Sequence, residues 1–254
     1  MPRAVSKEWA WGGAHGEGVD VAVVDSGVQA DHPAVRSVEG AVAVSWDSTA
    51  EDGVRFDVGP HPDLFGHGTA CAGIIRRLAP DCRIHSVRVL GERLTAKGPV
   101  FAAAVRWAID AGMDVVNLSL SSAREEYLSL FHDLADEAYF AGVILVCAVN
   151  NAAVPSYPSE FASVLSVAAT DPRPDDGFLY NPRPPVEFGA PGIDVQVPWL
   201  GGGSLVATGN SFAAPHMSGL VARLLSKHPD LTPFQVKTVL HSLADNADGA
   251  NPPS

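Results

Sequence analysis

A chain of 254 residues with 46% hydrophobic and 18% charged residues can bury one substantial core and is too apolar to be a disordered segment. Its formal net charge of −12 repels a phosphate backbone or an anionic surface, and its basic residues gather only in short runs such as Arg76-Arg77, which argues against a nucleic-acid partner. No apolar run reaches the ~20 residues of a membrane span, so no membrane partner is expected either.

In chain order, residues 20–25 (DVAVVD) form a short apolar run closed by a carboxylate, the pattern of a strand covered on both faces. Similar runs recur at 84–90 (IHSVRVL), 114–120 (DVVNLSL), 143–149 (VILVCAV) and 164–169 (VLSVAA). Between them, helices are expected at 101–111, stopped by Gly112, and at 124–141, stopped by Gly142. A Pro-rich loop covers 171–185, and Gly201, Gly202 and Gly203 turn a hairpin between 195–200 and 204–208. From Met217 onward, Leu220, Val221, Leu224 and Leu225 share a helical face, and Thr232-Pro233-Phe234-Gln235 reads as a capping box opening a last helix. Residues 245–254 read as frayed. Strand and helix alternate, which predicts an α/β fold in three layers, a central mostly parallel sheet with helices on both faces. One domain over 1–254 is expected, with no recognisable propeptide or signal peptide.

In an open parallel sheet, ligands gather at the carboxyl ends of the strands. Asp25 stands at such an end and is open to several readings: helix cap, metal ligand, ribose contact or catalytic carboxylate. His67 lies between Gly66 and Gly68, which clear the space around its ring, although a histidine that only fills space is the commoner case. Ser211 follows Gly209, which is placed to supply an unusual backbone angle before a helix, and Pro215 comes early enough for its missing N–H to cost little. Helix capping accounts for Ser211 alone, but not for an Asp, a Gly-flanked His and a Ser in one chain of this architecture. Together they suit a relay in which Ser211 attacks, His67 takes its proton and Asp25 holds the histidine tautomer. Asn150 and the Ser211 backbone N–H are placed to receive the developing oxyanion. A nucleotide-binding domain is disfavoured, because the glycines of residues 12–18 precede the first strand instead of following it.

The motifs VAVVDSGV, GHGTACAG and GNSFAAPHMSG, in that order, with VILVCAVN between the second and third, resemble those of the subtilisin-like serine proteases (subtilases, peptidase family S8). The likeness runs from about residue 18 to 243. It implies a subtilisin-like fold and a serine endopeptidase with Asp25, His67 and Ser211 as its triad and Asn150 as the oxyanion donor, with Asn151 as an alternative to Asn150. It further implies that residues 117–120 (NLSL) pair with an extended peptide, and that Ser119, Leu120, Ser121, Ala148 and Val149 line the substrate site. The partner is then a peptide or protein substrate, and the protein is expected to act as a monomer.

The sequence departs from the family in several places. Asn210 replaces the usual threonine before the serine, Phe212 the usual methionine after it, and Val149, Ser121 and Ser122 stand where the family has glycines around the specificity pocket. A restricted pocket that favours small residues before the scissile bond is expected. Residues 74–80 pass directly to the next strand where extracellular relatives carry a calcium loop, so no cofactor is expected to be required and only a weak calcium site is allowed. These departures also leave room for a catalytically silent peptide-binding domain. Without a recognisable leader, a dedicated processing protease, one that removes the leader of a ribosomally made peptide, is expected. The location would be cytoplasmic if Met1 is the native start and secreted if a leader has been removed. Cys71, Cys82 and Cys147 show no metal or disulfide spacing and are expected as free thiols, with Cys71 in a packing role. The net negative charge would suit basic peptides if it lay near the cleft.

Overall fold

The structure, a computed structural model, describes residues 5–247. Nine strands make the main sheet: β1 (Asp20–Asp25), β2 (Gly40–Trp46), β3 (Val54–Val58), β4 (Arg83–Arg88), β5 (Val115–Leu118), β6 (Ile144–Ala148), β7 (Leu165–Thr170), β8 (Leu179–Tyr180) and β9 (Phe188–Pro191). Their order is β3-β2-β4-β1-β5-β6-β7-β9-β8, and all neighbours are parallel except the outer pairs β2–β3 and β8–β9. The helices are α1 (Lys7–Trp11), α2 (His67–Leu78), α3 (Gly98–Asp110), α4 (Leu128–Ala141), α5 (Asn210–Lys227) and α6 (Pro233–Leu243). A separate hairpin joins β10 (Val195–Trp199) to β11 (Gly203–Ala207) through a turn in which Gly201 and Gly202 take positive φ.

The period-two alternation of a strand explains why the central runs are apolar throughout. In β1, Val21 and Val23 point into one core, shared with α1, α2, α5 and α6, whereas Ala22 and Val24 point into the other, shared with α3 and α4. In β6, Ile144 and Val146 serve the first core and Leu145 and Cys147 the second. Each face of the sheet therefore has its own helical layer, as expected.

The differences from expectation lie at edges and ends. Helix α3 begins three residues early, at Gly98, because Pro99 suits the first turn. Residues 125–127 of the expected 124–141 helix form a 3-10 turn before α4. The short α1 and the β2–β3 pair were not among the expected elements, although β2 (GAVAVSW) is itself an apolar run. The stretch from 245 is not frayed as far as it is described: Asp245 N–H bonds Phe178 O at 2.9 Å, and Asn246 bonds the Tyr180 backbone in both directions at 2.8 Å. Residues 248–254 lie outside the described part.

Candidate active site

β1 is flanked by β4 on one side and β5 on the other, so the chain reverses direction across the sheet at its carboxyl end. Asp25 closes that strand, fully buried, and its carboxylate accepts the Ser26 N–H at 2.7 Å. Helix α2 begins at His67, and Gly68 lets it approach: a Cβ there would stand 2.0 Å from Gly27 O and 3.1 Å from Asp25 Cβ. That close packing brings His67 Nδ1 to 2.9 Å from both Asp25 oxygens. On the other edge of the ring, Nε2 lies 2.9 Å from Ser211 Oγ. The carboxylate fixes the proton on Nδ1 and leaves Nε2 to accept from the serine hydroxyl.

Ser211 is the second residue of α5, and its hydroxyl does not cap the helix. Gly209, at the cap position, is extended (φ 166°, ψ 153°), so the unusual angle expected of it is not there; what it leaves beside Ser211 is space, since a Cβ would lie 3.4 Å from Ser211 Oγ. Pro215 sits well inside α5, and its missing N–H frees the Ser211 carbonyl four residues earlier. That carbonyl accepts the Ser119 hydroxyl at 2.8 Å and lies 3.6 Å from Cys71 Sγ. Asn117, fully buried in β5, continues the chain: its amide bonds Ser119 Oγ and its carbonyl oxygen accepts Ser218 Oγ, each at 3.0 Å. Ser119 thus anchors the nucleophile's backbone with its side chain.

Burial disfavours a charge on His67, but the adjoining Asp25 carboxylate outweighs it and holds the imidazole well above its ordinary value near 6.5. Burial pushes the Cys71 thiol up, so it stays an S–H, 3.7 Å from Asp25 Oδ2 and 3.9 Å from His67 Nδ1. All three cysteines are buried and free. Asp25, His67 and Cys71 form the one cluster of potential metal ligands among the described residues, and it coincides with the triad.

Asn150 lies beside Ser211 in a cleft of about 330 Å³ that is also lined by Leu120, Ser121, Ala148 and Val149. Its Oδ1 accepts the Ala152 N–H at 2.9 Å, which leaves its amide NH₂ as a free donor among the described residues. The Ser211 N–H, in the first turn of α5, has no acceptor within the helix. Asn151 is occupied differently, its Oδ1 accepting the Asn210 N–H at 3.0 Å. Asn210 ties these parts together: its amide donates to Val149 O and Asn150 O, each at 3.1 Å, and its Oδ1 accepts Ala169 N–H at 2.8 Å. Phe212 covers the histidine, with ring centroids 5.2 Å apart.

The chain matches the Subtilase family over residues 16–253. It belongs to that family. Subtilisin DY of Bacillus licheniformis is 29% identical over 249 residues, covering 92% of this chain and 86% of its own length. A thermostable alkaline protease of Halalkalibacterium halodurans is 30% identical and covers 91% of this chain, which spans 63% of that relative. Among solved structures, a cold adapted subtilisin-like serine proteinase superposes with a TM-score of 0.69 at 25% identity, covering 89% of this chain and 81% of its own. Sphericase superposes with a TM-score of 0.71 at 24% identity, over 94% and 84%, and speaks for the fold alone. The protein is a subtilisin-like serine endopeptidase by family.

Several members of this subtilase's site were not read from its sequence. Asp63, four residues before His67, accepts five hydrogen bonds, from Ser26 Oγ (2.8 Å), Phe65 N–H (3.0 Å), Gly66 N–H (2.8 Å), Thr69 N–H (2.9 Å) and Thr69 Oγ1 (2.6 Å). It thereby pins the start of α2; a carboxylate just ahead of a helix that opens on a Gly-flanked histidine was the available signal. The condition attached to basic substrates, acidic charge near the cleft, is not met at the cleft wall. Among the described residues no Asp or Glu lines the cleft around Ser211, so the cleft itself gives no reason to expect basic substrates.

Proposed function

We propose that this subtilase hydrolyses peptide bonds through an acyl-enzyme on Ser211. The observation that carries the reading is the unbroken pair of 2.9 Å hydrogen bonds from Asp25 through His67 to Ser211. Ser211 Oγ attacks the carbonyl carbon as its proton passes to His67 Nε2; the imidazolium is stabilised by Asp25; the proton is then given to the leaving amine. Water attacks the acyl-enzyme by the same route, with His67 again as base. The free amide of Asn150 and the Ser211 N–H receive the oxyanion, the first being a donor whose loss in subtilisin costs about 10²–10³ in turnover.

The finer proposal is a dedicated processing role with a restricted residue before the scissile bond. It is supported by the Val149 and Ser121 side chains on the cleft wall, in a space of about 330 Å³. The direct test is mass spectrometry after a fluorophosphonate: one adduct on the native chain and none on Ser211→Ala is expected. No adduct on folded protein would favour the silent peptide-binding reading. A peptide library should then show cleavage after small residues, and efficient cleavage after bulky aromatics would overturn the restricted pocket.

A further inference from the structure

Beside the catalytic cleft lies a larger cavity of about 620 Å³, and the two share the walls Leu90, Leu94, Leu120 and Ser121. Its remaining walls include Trp46, Lys97, Phe101, Arg124 and Tyr127, and among the described residues no Asp or Glu lines it. Two cations and no carboxylate form an unusual lining in a chain with 29 acidic and 17 basic residues. Lys97 Nζ lies 3.8 Å above the Trp46 ring and makes no ion pair among the described residues. Arg124 lies over the Tyr127 ring, 5.7 Å from its centroid, and pairs with Glu126 at 2.8 Å; that pair is exposed, which makes it weak and exchangeable. Aromatic faces hold both cationic side chains at the cavity, limiting the entropy that binding an anion would cost.

An extended peptide reaches this space from the reacting bond. Ser122 is already bridged to Tyr157 through both backbone groups at 2.9 Å, so strand pairing is left to Leu120 and Ser121, the shared wall. His67 lines the cleft but not the larger cavity. The amine leaves with the proton of His67, whereas the acyl half stays on Ser211 beside the shared wall. Alternate side chains of an extended chain point the same way, so a single position sends its side chain into the cavity.

Resting on the protease reading above, we propose that the cavity binds an acidic side chain, Asp or Glu, from the N-terminal half of the substrate, with Lys97 and Arg124 as its specificity-determining residues. The test uses blocked hexapeptides in which Glu is moved stepwise through the sequence, each with Gln and Lys counterparts. Binding is measured by calorimetry on Ser211→Ala, which needs no catalysis, and cleavage is measured on the native chain. At one position Glu should bind about tenfold more tightly than Gln, and the difference should shrink as salt is raised. The Lys97→Glu/Arg124→Glu variant should reverse the order in favour of Lys while reacting with fluorophosphonate at the native rate. Equal binding of Glu and Gln peptides at every position, or an order unchanged in the double variant, overturns the proposal. Selective binding without fluorophosphonate labelling or cleavage would uphold the cavity's role and overturn the hydrolytic reading instead.

Discussion

At the scale of single residues, the site depends on one carboxylate holding one ring. Asp25→Asn should lower kcat by about 10⁴-fold, the size of effect seen when the orienting aspartate of such a triad is lost. The sign of the pH effect follows from the raised His67 value. His67 is a base only when neutral, so activity in the native protein should fall as pH drops through a value above 6.5. In the Asp25→Asn variant the largest influence that raises the value is gone, and the acid limb of the residual activity should move down; kcat against pH for both proteins reads this directly. For stability the sign is opposite: the raised value contributes stability that is full below ~6.5 and is lost as pH rises through the folded value. Asn210 acts through position, since it holds the carbonyls of Val149 and Asn150 beside the start of α5. Asn210→Ala should cut kcat about 10- to 100-fold with little change in KM, and should be non-additive with Asn150→Ala in a double-mutant cycle. Of these residues, Asp25, His67, Ser211 and Asn150 were singled out by motif chemistry, and the structure brings them together around one cleft. Asp63 carried a local signal that went unread, since most of its partners lie within six residues of it, whereas the inward turn of Ser119 carried none, because its partners, Asn117 apart, lie in segments distant in sequence.

At the scale of elements, α2 carries two duties. Its first residue is His67, and near its other end Arg76, 6% exposed, donates to four backbone carbonyls: Val35 O at 2.9 Å, Ser37 O at 3.1 Å, Pro80 O at 2.8 Å and Cys82 O at 2.6 Å. The helix runs unbroken to Leu78, in the stretch where a calcium loop was expected to be missing, and this guanidinium supplies a fixed positive charge to the carbonyls of the connecting segments around it. Chelation with EDTA should therefore leave Tm unchanged, whereas Arg76→Met should lower it, by about 3–5 kcal/mol of stability, because the carbonyls lose charged donors. A fall in Tm with EDTA alone would point instead to a bound cation. The apolar runs, the glycine stops after α3 and α4, and the Thr232–Gln235 capping box were all legible, since each rests on local chemistry. Helix α1 was not, although Trp9 stacks on His228 with centroids 4.1 Å apart and Arg223 donates to the Ala14 and Trp11 carbonyls at 2.9 and 3.0 Å. Its stability comes from α5, at the far end of the chain.

At the scale of the whole molecule, the two cores lie on opposite faces of the sheet, and α5 ties the first of them to the site. Met217 and Leu220 are fully buried in the core below the strands, a few residues after the nucleophile. Leu220→Ala should cost about 2–5 kcal/mol, and calorimetry should record one cooperative transition, lowered in Tm, for the native and variant proteins. Two separated transitions would contradict the single-domain expectation. The sequence by itself determined the fold class and the family, and it singled out Asp25, His67 and Ser211, which the structure brings within hydrogen-bond distance, because strand periodicity, helix punctuation and the residue types that catalysis requires are local or nearly so. The tertiary structure decided the rest. Only packing could show that Gly68 lets α2 touch β1, that Pro215 frees a carbonyl for Ser119, and that Lys97 and Arg124, with no carboxylate among the described lining residues, stand at the cavity beside the cleft. Each of these depends on which distant segments are brought within about 3–4 Å, a distance at which hydrogen bonds and dispersion act and which no one-dimensional pattern records.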